Sequence, residues 1–369
     1  MIEVLNFNYH LKTAVSIPSQ TIGAPDYSKA EQQFLHLLNL DGLDQQITRE
    51  ADLTREFETV LSTALATAYT EAADDAAHLF IQRILYRINR LNLFWYDDLQ
   101  QYKNERSYYL QWVRDRIESA WQAWEMSHFN VDRYQQFNVE QALVERGAVD
   151  LDPPLTANKR YLQEDISLEG YRHLLAIVSL DGLVEASRMS RILGGASNEI
   201  QCMLIRVLME EYGNGRFSRK HSTFFAQMMA ELGLNTQPEF YFDLAPWELL
   251  ASINHNFLLT ECKQHFLRYN GGLTYFEIVG PSIYRDYMAA AQRLGLSDAA
   301  MGYWELHIRE DERHGQWMLE EVALPLATMY PQNAWQLVLG YDQEKLIGDR
   351  AGVAIIAAIQ AAEQTGIVL

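Results

Sequence analysis

The chain has 369 residues, 48% hydrophobic and 21% charged, with a formal net charge of −19. That length allows one large domain or two of ordinary size around a substantial core, and the composition is that of a globular protein rather than a low-complexity one. The acidic balance argues against nucleic acid or an anionic membrane as a partner, since both need a cationic face.

The first segment, "MIEVLNFNYHLKTAV", lacks a basic region followed by an apolar run, so no signal peptide is expected. "SKAEQQFLHLLNL" reads as a helix capped by Ser28, with Glu31 completing a capping box. "DLTREFETVLSTALATAYTEAADDAAHLFIQRILYRINRLNLFWYDDL" supplies two long helices. "SYYLQWVRDRIESAWQAWEMSHFN" supplies another, with Tyr109, Val113, Ile117 and Trp121 on one face. The clearest break is "RGAVDLDPPLTANKRY", where Gly147, Pro153 and Pro154 stop helices. A domain boundary is therefore expected near residue 155. It divides a helical N-terminal extension, 1–155, acting as a lid, dimer surface or accessory domain, from a second domain, 156–369.

Six more helical segments follow, from "SLEGYRHLLAIVSLDGLVEASRMSRIL" to "DAAMGYWELHIREDERHGQWMLEEVALPLATMY", separated by glycine-bearing turns. With no strand run and no repeat, the chain reads as an all-α bundle. "AGVAIIAAIQAA", from Ala351 to Ala362, is too short to span a bilayer and reads as a buried C-terminal helix. Cys202 and Cys262 make neither a zinc motif nor a disulfide framework, which fits a reduced, cytoplasmic chain.

The last of the six segments carries the stripe Ala300, Trp304, His307, Asp311, His314, Met318, Val322, in steps of three and four that share one helix face. The stripe is apolar at both ends and polar in the middle. Its middle is thus core occupied by His, Asp and His. An unpaired buried carboxylate costs several kcal/mol, on the order of what a bound cation removes. Imidazole and carboxylate also suit iron or manganese. A salt-bridged layer with Arg309 and Arg313 is the plainer alternative.

Other acids and histidines sit on apolar stripes. Glu277 interrupts "GLTYFEIVG", where an ion pair to arginine is the alternative. Glu211 ends the stripe Ile200, Leu204, Val207, Leu208 and could equally be solvated beside Glu210. His221 opens the stripe Phe225, Met228, Leu232, where it could be a satisfied core histidine. Glu185 continues Leu174, Val178, Asp181, with Asp181 or Glu169 as alternatives in its place. Together these give four carboxylates and three histidines, the stoichiometry of a carboxylate-bridged di-iron site.

"LMEEYGNGRFSRKHSTFF" resembles the Glu-Tyr-Gly-x-Gly-Arg…His…Phe segment of the heme-oxygenase-like di-iron oxidases, the iron-containing redox enzymes. Glu211 precedes His221 as in that family. Phe276-Glu277, the late His307, Asp311 and His314, and Glu185 match its other positions over about residues 160 to 330. The resemblance implies a heme-oxygenase-like helical bundle binding two irons, Fe(II) or Fe(III), with O2 as co-substrate. It puts Glu185 and Asp311 on one iron, Glu211, His221 and His314 on the other, Glu277 beside or between them, and His307 as an additional ligand. No catalytic residue separate from these ligands is implied.

The implied substrate is a small carboxylate metabolite, an amino acid or derivative or a fatty acid. The implied outcomes are N-oxygenation, desaturation or oxidative C–C cleavage. An external electron donor and a homodimer are compatible with it. Tyr212, Phe224, Tyr275 and Trp304, with Phe276 and Tyr303, are candidates for an apolar substrate wall. Arg216 and Arg309 are candidates for holding a substrate carboxylate. A metal-free thiaminase-like or cofactorless oxidase of the same fold, and a non-enzymatic helical interaction protein, are the alternatives. A further decoy is Glu125-x-x-His128, of the kind ferritin-like sites use.

Overall fold

The computed structural model describes residues 25–70, 74–93, 99–195 and 198–369. The segment read for a signal peptide lies outside the described residues. All regular structure among the described residues is helical.

The N-terminal part contains α1 (Tyr27–Leu38), α2 (Ala51–Ala68), α3 (Asp75–Asn89), α4 (Tyr108–Met126) and α5 (Val139–Asp150). Then come α6 (Leu168–Gly182), α7 (Glu199–Glu211), α8 (His221–Glu231), α9 (Trp247–Glu261), α10 (Phe266–Arg293), α11 (Gly302–Trp317) and α12 (Trp335–Thr365). Short polar side chains set the starts. Ser107, Asn138, Ser167 and Asn198 each accept a backbone N–H at the head of α4, α5, α6 and α7. At α1 the cap is Asp26, which accepts from the Lys29 N–H at 2.9 Å. Ser28, expected as the cap, lies inside the first turn because the carboxylate two residues earlier takes that donor. Glu31 does not reach back to a cap either. Its carboxylate is claimed by Arg83 at 2.8 Å and Arg87 at 3.0 Å on α3.

Val113, Ile117 and Trp121 form the buried face of α4 as expected, with Tyr109 half-buried at its edge. α5 stops at Asp150, before the prolines. The helices before residue 155 pack directly on those after it: α3 lies against α9, and α5 against α10 and α12. Buried and half-buried polar ties reinforce these contacts. Arg146 binds Asp342 at 2.7 and 2.8 Å, and the Tyr341 hydroxyl donates to Asp150 at 3.0 Å. Glu125, fully buried, receives two N–H bonds from Arg350 at 2.9 and 3.0 Å and one from Trp121 at 3.1 Å. That carboxylate is consumed, so the Glu125-x-x-His128 pattern serves the join between α4 and α12 rather than a ligand set.

α10 and α12, the two longest helices, pack along each other at the centre, and α11 lies on α10. The segment Ala351–Ala362 is the second half of α12, burying Ala351, Ile355, Ile356, Ile359 and Ala362. No helix of the described residues is long and apolar enough to cross a membrane.

Candidate metal centre

The polar middle of the α11 stripe is buried: His307, Asp311 and His314 are each at most 2% exposed. They face α10 across a close crossing that two glycines permit. A Cβ on Gly315 would stand 3.0 Å from the Glu277 carbonyl oxygen, and one on Gly280 would stand 3.0 Å from Asp311 Oδ2. Pro281, inside α10, has no N–H, so the Glu277 carbonyl four residues earlier is released from the helix ladder. α11 then passes into a π-helical stretch, Met318–Ala323, a feature that recurs near functional sites.

α7 buries Ile200, Leu204, Val207 and finally Glu211. The chain reverses through Gly213, Asn214 and Gly215, all with φ between 54° and 78°. A Cβ on Gly213 would lie 2.4 Å from the backbone of Arg219, so the turn admits only glycine there. This reversal starts α8 on His221, whose Nδ1 lies 2.7 Å from Glu211 Oε2.

Glu185 arrives differently from expectation. It is not on the α6 stripe; α6 ends at Gly182, where a Cβ would come within 2.8 Å of the Phe225 ring. Glu185 sits in the turn beyond, just before Ala186 at φ 59°, a left-handed position that costs an L-residue on the order of 1 kcal/mol. From there its Oε1 accepts the Tyr303 hydroxyl at 2.6 Å and lies 2.9 Å from His307 Nε2. Asp181 and Glu169 cannot stand in for it, since Asp181 is paired with Arg188 and Glu169 with Arg172 at 3.3 Å.

Six of the seven residues meet in two groups that share one member, and Glu277 lies beside the second. Donor atoms of Glu185, Glu211, His221 and His307 lie within 4.8 Å of one another, as do those of Glu211, Asp311 and His314. His221 Nδ1 is 3.2 Å from His307 Nε2. His314 Nδ1 is 3.4 Å from Glu211 Oε1, 3.5 Å from Glu277 Oε2 and 3.7 Å from Asp311 Oδ1. The partition implied by resemblance therefore changes. Glu185 sits with His221 and His307, Asp311 sits with His314 and Glu277, and Glu211 addresses both groups.

The cluster is electrostatically incomplete. Glu185 Oε2, Asp311 Oδ1 and His314 Nδ1 are buried with no hydrogen-bond partner among the described residues, an arrangement that costs free energy unless a further group satisfies them. Burial opposes charge on His307, yet Glu185 and Asp311 lift its pKa to about 10. Burial likewise opposes charge on His314, yet Glu211 and Glu277 lift it to about 11. Burial pushes Asp311 well above the usual carboxylate range against the pull of His307. Glu211, despite burial, is held well below that range by His221 and His314. Without a cation the site is balanced by protons. Nitrogen and carboxylate donors with orphaned lone pairs are what a first-row divalent metal would satisfy, so the residues fit iron. His307 Nδ1 lies 2.9 Å from the Tyr303 carbonyl, which assigns the proton there and leaves Nε2 for the site.

The wall candidates scatter. The Trp304 indole donates to the Tyr171 hydroxyl at 2.6 Å and stacks on Tyr284. Tyr275 faces Tyr341, 5.2 Å away between centroids, with Asp349 and Asp150 as its charged neighbours rather than the ligand acids. Phe224 is half-buried beside Gly302, and Phe276 is 42% exposed. Tyr212 lies under the Lys220 ammonium, 4.7 Å from its ring centroid. Arg216 is exposed, and Arg309 is exposed and paired with Glu310 at 3.2 Å.

Two neighbours were missed in the sequence. The Tyr284 ring is 4.8 Å from that of His307. Burial, then Asp311 and Glu185, push its hydroxyl pKa well up. It lies two helical turns from Glu277, and that spacing was the signal. Lys220 is a half-buried cation whose pKa burial lowers while Glu185 and Glu211 raise it; it donates to Ser222 Oγ at 2.6 Å. Its signal was a cation directly preceding His221.

Comparison with known proteins fits this geometry. Residues 172–343 match the family described as iron-containing redox enzymes. Over 172 residues, 45% of this chain, the sequence is 31% identical to nitrosourea synthase of Streptomyces achromogenes subsp. streptozoticus. The chain spans 36% of that relative's length. The resemblance read from the motifs is borne out over this segment, and the described residues have the expected all-α fold, consistent with a heme-oxygenase-like bundle. The acid and histidine groups are compatible with iron.

Proposed function

We propose, on the premise that residues 172–343 carry an iron-containing redox enzyme segment, that the chain is a non-heme di-iron oxidoreductase that uses O2. The observation that carries this reading is Glu211, one carboxylate whose two oxygens address two separate nitrogen-and-oxygen groups. Glu185, His221 and His307 would hold one iron. Asp311 and His314, with Glu277 beside them, would hold the other, and Glu211 would span the two. When bound, such a pair supplies electrons to O2 and an oxidant for a C–H or N–H bond.

The remaining tasks fall to the protein. Tyr303 fixes Glu185 by donating to it, and Tyr284 and Trp304 close the α10–α11 side against water. The substrate class is a small carboxylate metabolite, an amino acid or derivative. With Arg216 and Arg309 turned to the surface, Lys220 is the cation placed for its carboxylate. N-oxygenation is the favoured subtype. The relative's name is that of an enzyme making an N-nitroso group on a urea, which requires an N–O bond. Inserting one oxygen atom of O2 while the other leaves as water consumes two further electrons, which an external donor would provide.

The test is anaerobic Fe(II) titration followed by an O2 pulse, watched by stopped-flow absorption with a panel of amino acids. Wild type runs beside Asp311→Ala and His221→Ala. Two Fe(II) per chain and an O2-dependent transient, both diminished in the variants, support the reading. Iron binding no better than in the variants, with every substrate present, ends it.

A further inference from the structure

We infer that Glu210, locked by Arg313, is a positioning residue that sets the orientation and tautomer of His314; this rests on the metal reading above. α7 ends on two consecutive glutamates that hold opposite edges of one imidazole. Glu211 Oε1 approaches Nδ1 at 3.4 Å, and Glu210 Oε2 approaches Nε2 at 3.0 Å. His314 is fully buried, and the side chain of Glu210 is 18% exposed. Glu210 is itself held. The Arg313 guanidinium donates to its Oε2 at 2.6 Å and also bonds Glu310, while Arg206 lies 3.9 Å from its Oε1. Both arginines rest on the Trp317 indole, 3.9 Å (Arg206) and 5.0 Å (Arg313) from its centroid.

Donor atoms of Glu210, Glu310 and His314 lie close enough to suggest a third metal group. The cation there is already present, because the Arg313 guanidinium bridges both carboxylates. What remains is a charge-assisted acceptor for Nε2–H. With that proton fixed, Nδ1 is the nitrogen left to face Glu211, Glu277 and Asp311. Carboxylates that hold a ligating histidine in this way set ring orientation and raise ligand basicity.

The experiment titrates the full chain with Co(II), comparing wild type with Glu210→Ala, Glu210→Gln and Arg313→Gln. In Glu210→Ala one of the two Co(II) affinities is expected to fall roughly 10- to 100-fold, while the other keeps its wild-type value. Glu210→Gln, which retains an acceptor oxygen, is expected to lose less, and Arg313→Gln to fall between. In the proton NMR spectrum of the Co(II)-loaded wild type, a hyperfine-shifted, solvent-exchangeable signal from the His314 Nε2–H is expected, and it should vanish in Glu210→Ala. A purely structural role would lower the melting temperature of the metal-free protein and leave the ratio of the two affinities alone. Two wild-type affinities with the exchangeable signal intact in Glu210→Ala overturn the inference, as does equal weakening of both sites. Failure of the wild type to bind Co(II) or Fe(II) overturns the metal reading and this inference together, so the two failures are distinguishable.

Discussion

His221 Nδ1 and His307 Nε2 stand 3.2 Å apart, each with a carboxylate oxygen at hand, Glu211 Oε2 at 2.7 Å and Glu185 Oε1 at 2.9 Å. With one His307 proton held on Nδ1 by the Tyr303 carbonyl, these four atoms can turn lone pairs to one small volume once the protons that balance the site leave. A single cation would answer all four. Because Glu211 turns its other oxygen to His314, removing it should damage both groups. Glu211→Ala is expected to hold almost no Fe(II). His221→Ala and Asp311→Ala should each retain part of the wild-type load. Metal content after desalting, by mass spectrometry, checks this. If Glu211→Ala keeps as much iron as His221→Ala, the shared role is wrong.

Gly280 offers a test away from the ligands themselves. Alanine is the better helix former by roughly 0.5–1 kcal/mol, so Gly280→Ala in mid-α10 would ordinarily stabilise. Here its methyl would meet Asp311 Oδ2 at 3.0 Å and the Tyr284 ring at 3.3 Å. The expected outcome is a folded protein of near-unchanged helicity whose Fe(II) affinity falls by about tenfold, as for other disturbed supports of metal ligands. Circular dichroism and iron titration on one preparation separate the two effects.

The join between the two parts of the chain has its own signature. Arg350 answers a fully buried carboxylate, Glu125. Arg350→Met strands that charge and is expected to cost about 3–5 kcal/mol of stability. The double variant Glu125→Met with Arg350→Met should recover much of the loss, since an apolar replacement of a buried pair is often near neutral. Chemical denaturation of the three proteins decides it. Equal stability of single and double variants would mean that the burial of Glu125 carries no penalty.

Glu344 gives a pH dependence clear of the ligand cluster. Burial pushes its pKa up to about 7, against the pull of Arg188 and with the help of Asp181. In the unfolded chain a glutamate titrates near 4.3. The native state therefore holds a proton that the unfolded state has released. Its contribution to stability is full below the unfolded pKa and is lost as pH rises through about 7. Glu344→Gln should raise the melting temperature by roughly 2–4 °C around pH 8, a gain that shrinks as pH falls below about 7 and vanishes only below the unfolded pKa of about 4.3. A gain that is constant across that range would locate the effect elsewhere.

Much of this arrangement was legible in the sequence because the α11 stripe carries its own frame: Trp304 before and Met318 after mark the face on which His307, Asp311 and His314 must lie. Periodicity stopped being a guide where tertiary contact overrides it. Glu185 continues the α6 pattern, yet α6 ends at Gly182, where Phe225 packs against the glycine, and Glu185 lies in the turn beyond. Ser28 and Asp26 compete for one cap, and local pattern does not rank them. Glu210 reads as a solvated acid because its partner is 104 residues away. The grouping of acids with histidines, and the turning of Arg216 and Arg309 to the surface, depend on how helices rotate against one another, which spacing alone leaves open.

The crossing of α10 and α11 has a consequence for anyone who would build this centre elsewhere. Three residues that offer no donor atom, Gly280, Pro281 and Gly315, shape the space in which the donors converge. A graft of the seven clustered acid and histidine side chains onto ideal, evenly spaced helices would carry over the inventory and lose the spacing, because a methyl group at either glycine presses on the Asp311 carboxylate or the Glu277 backbone. The transferable unit is a pair of backbones with two missing methyl groups and one missing amide proton, and the acids and histidines come second.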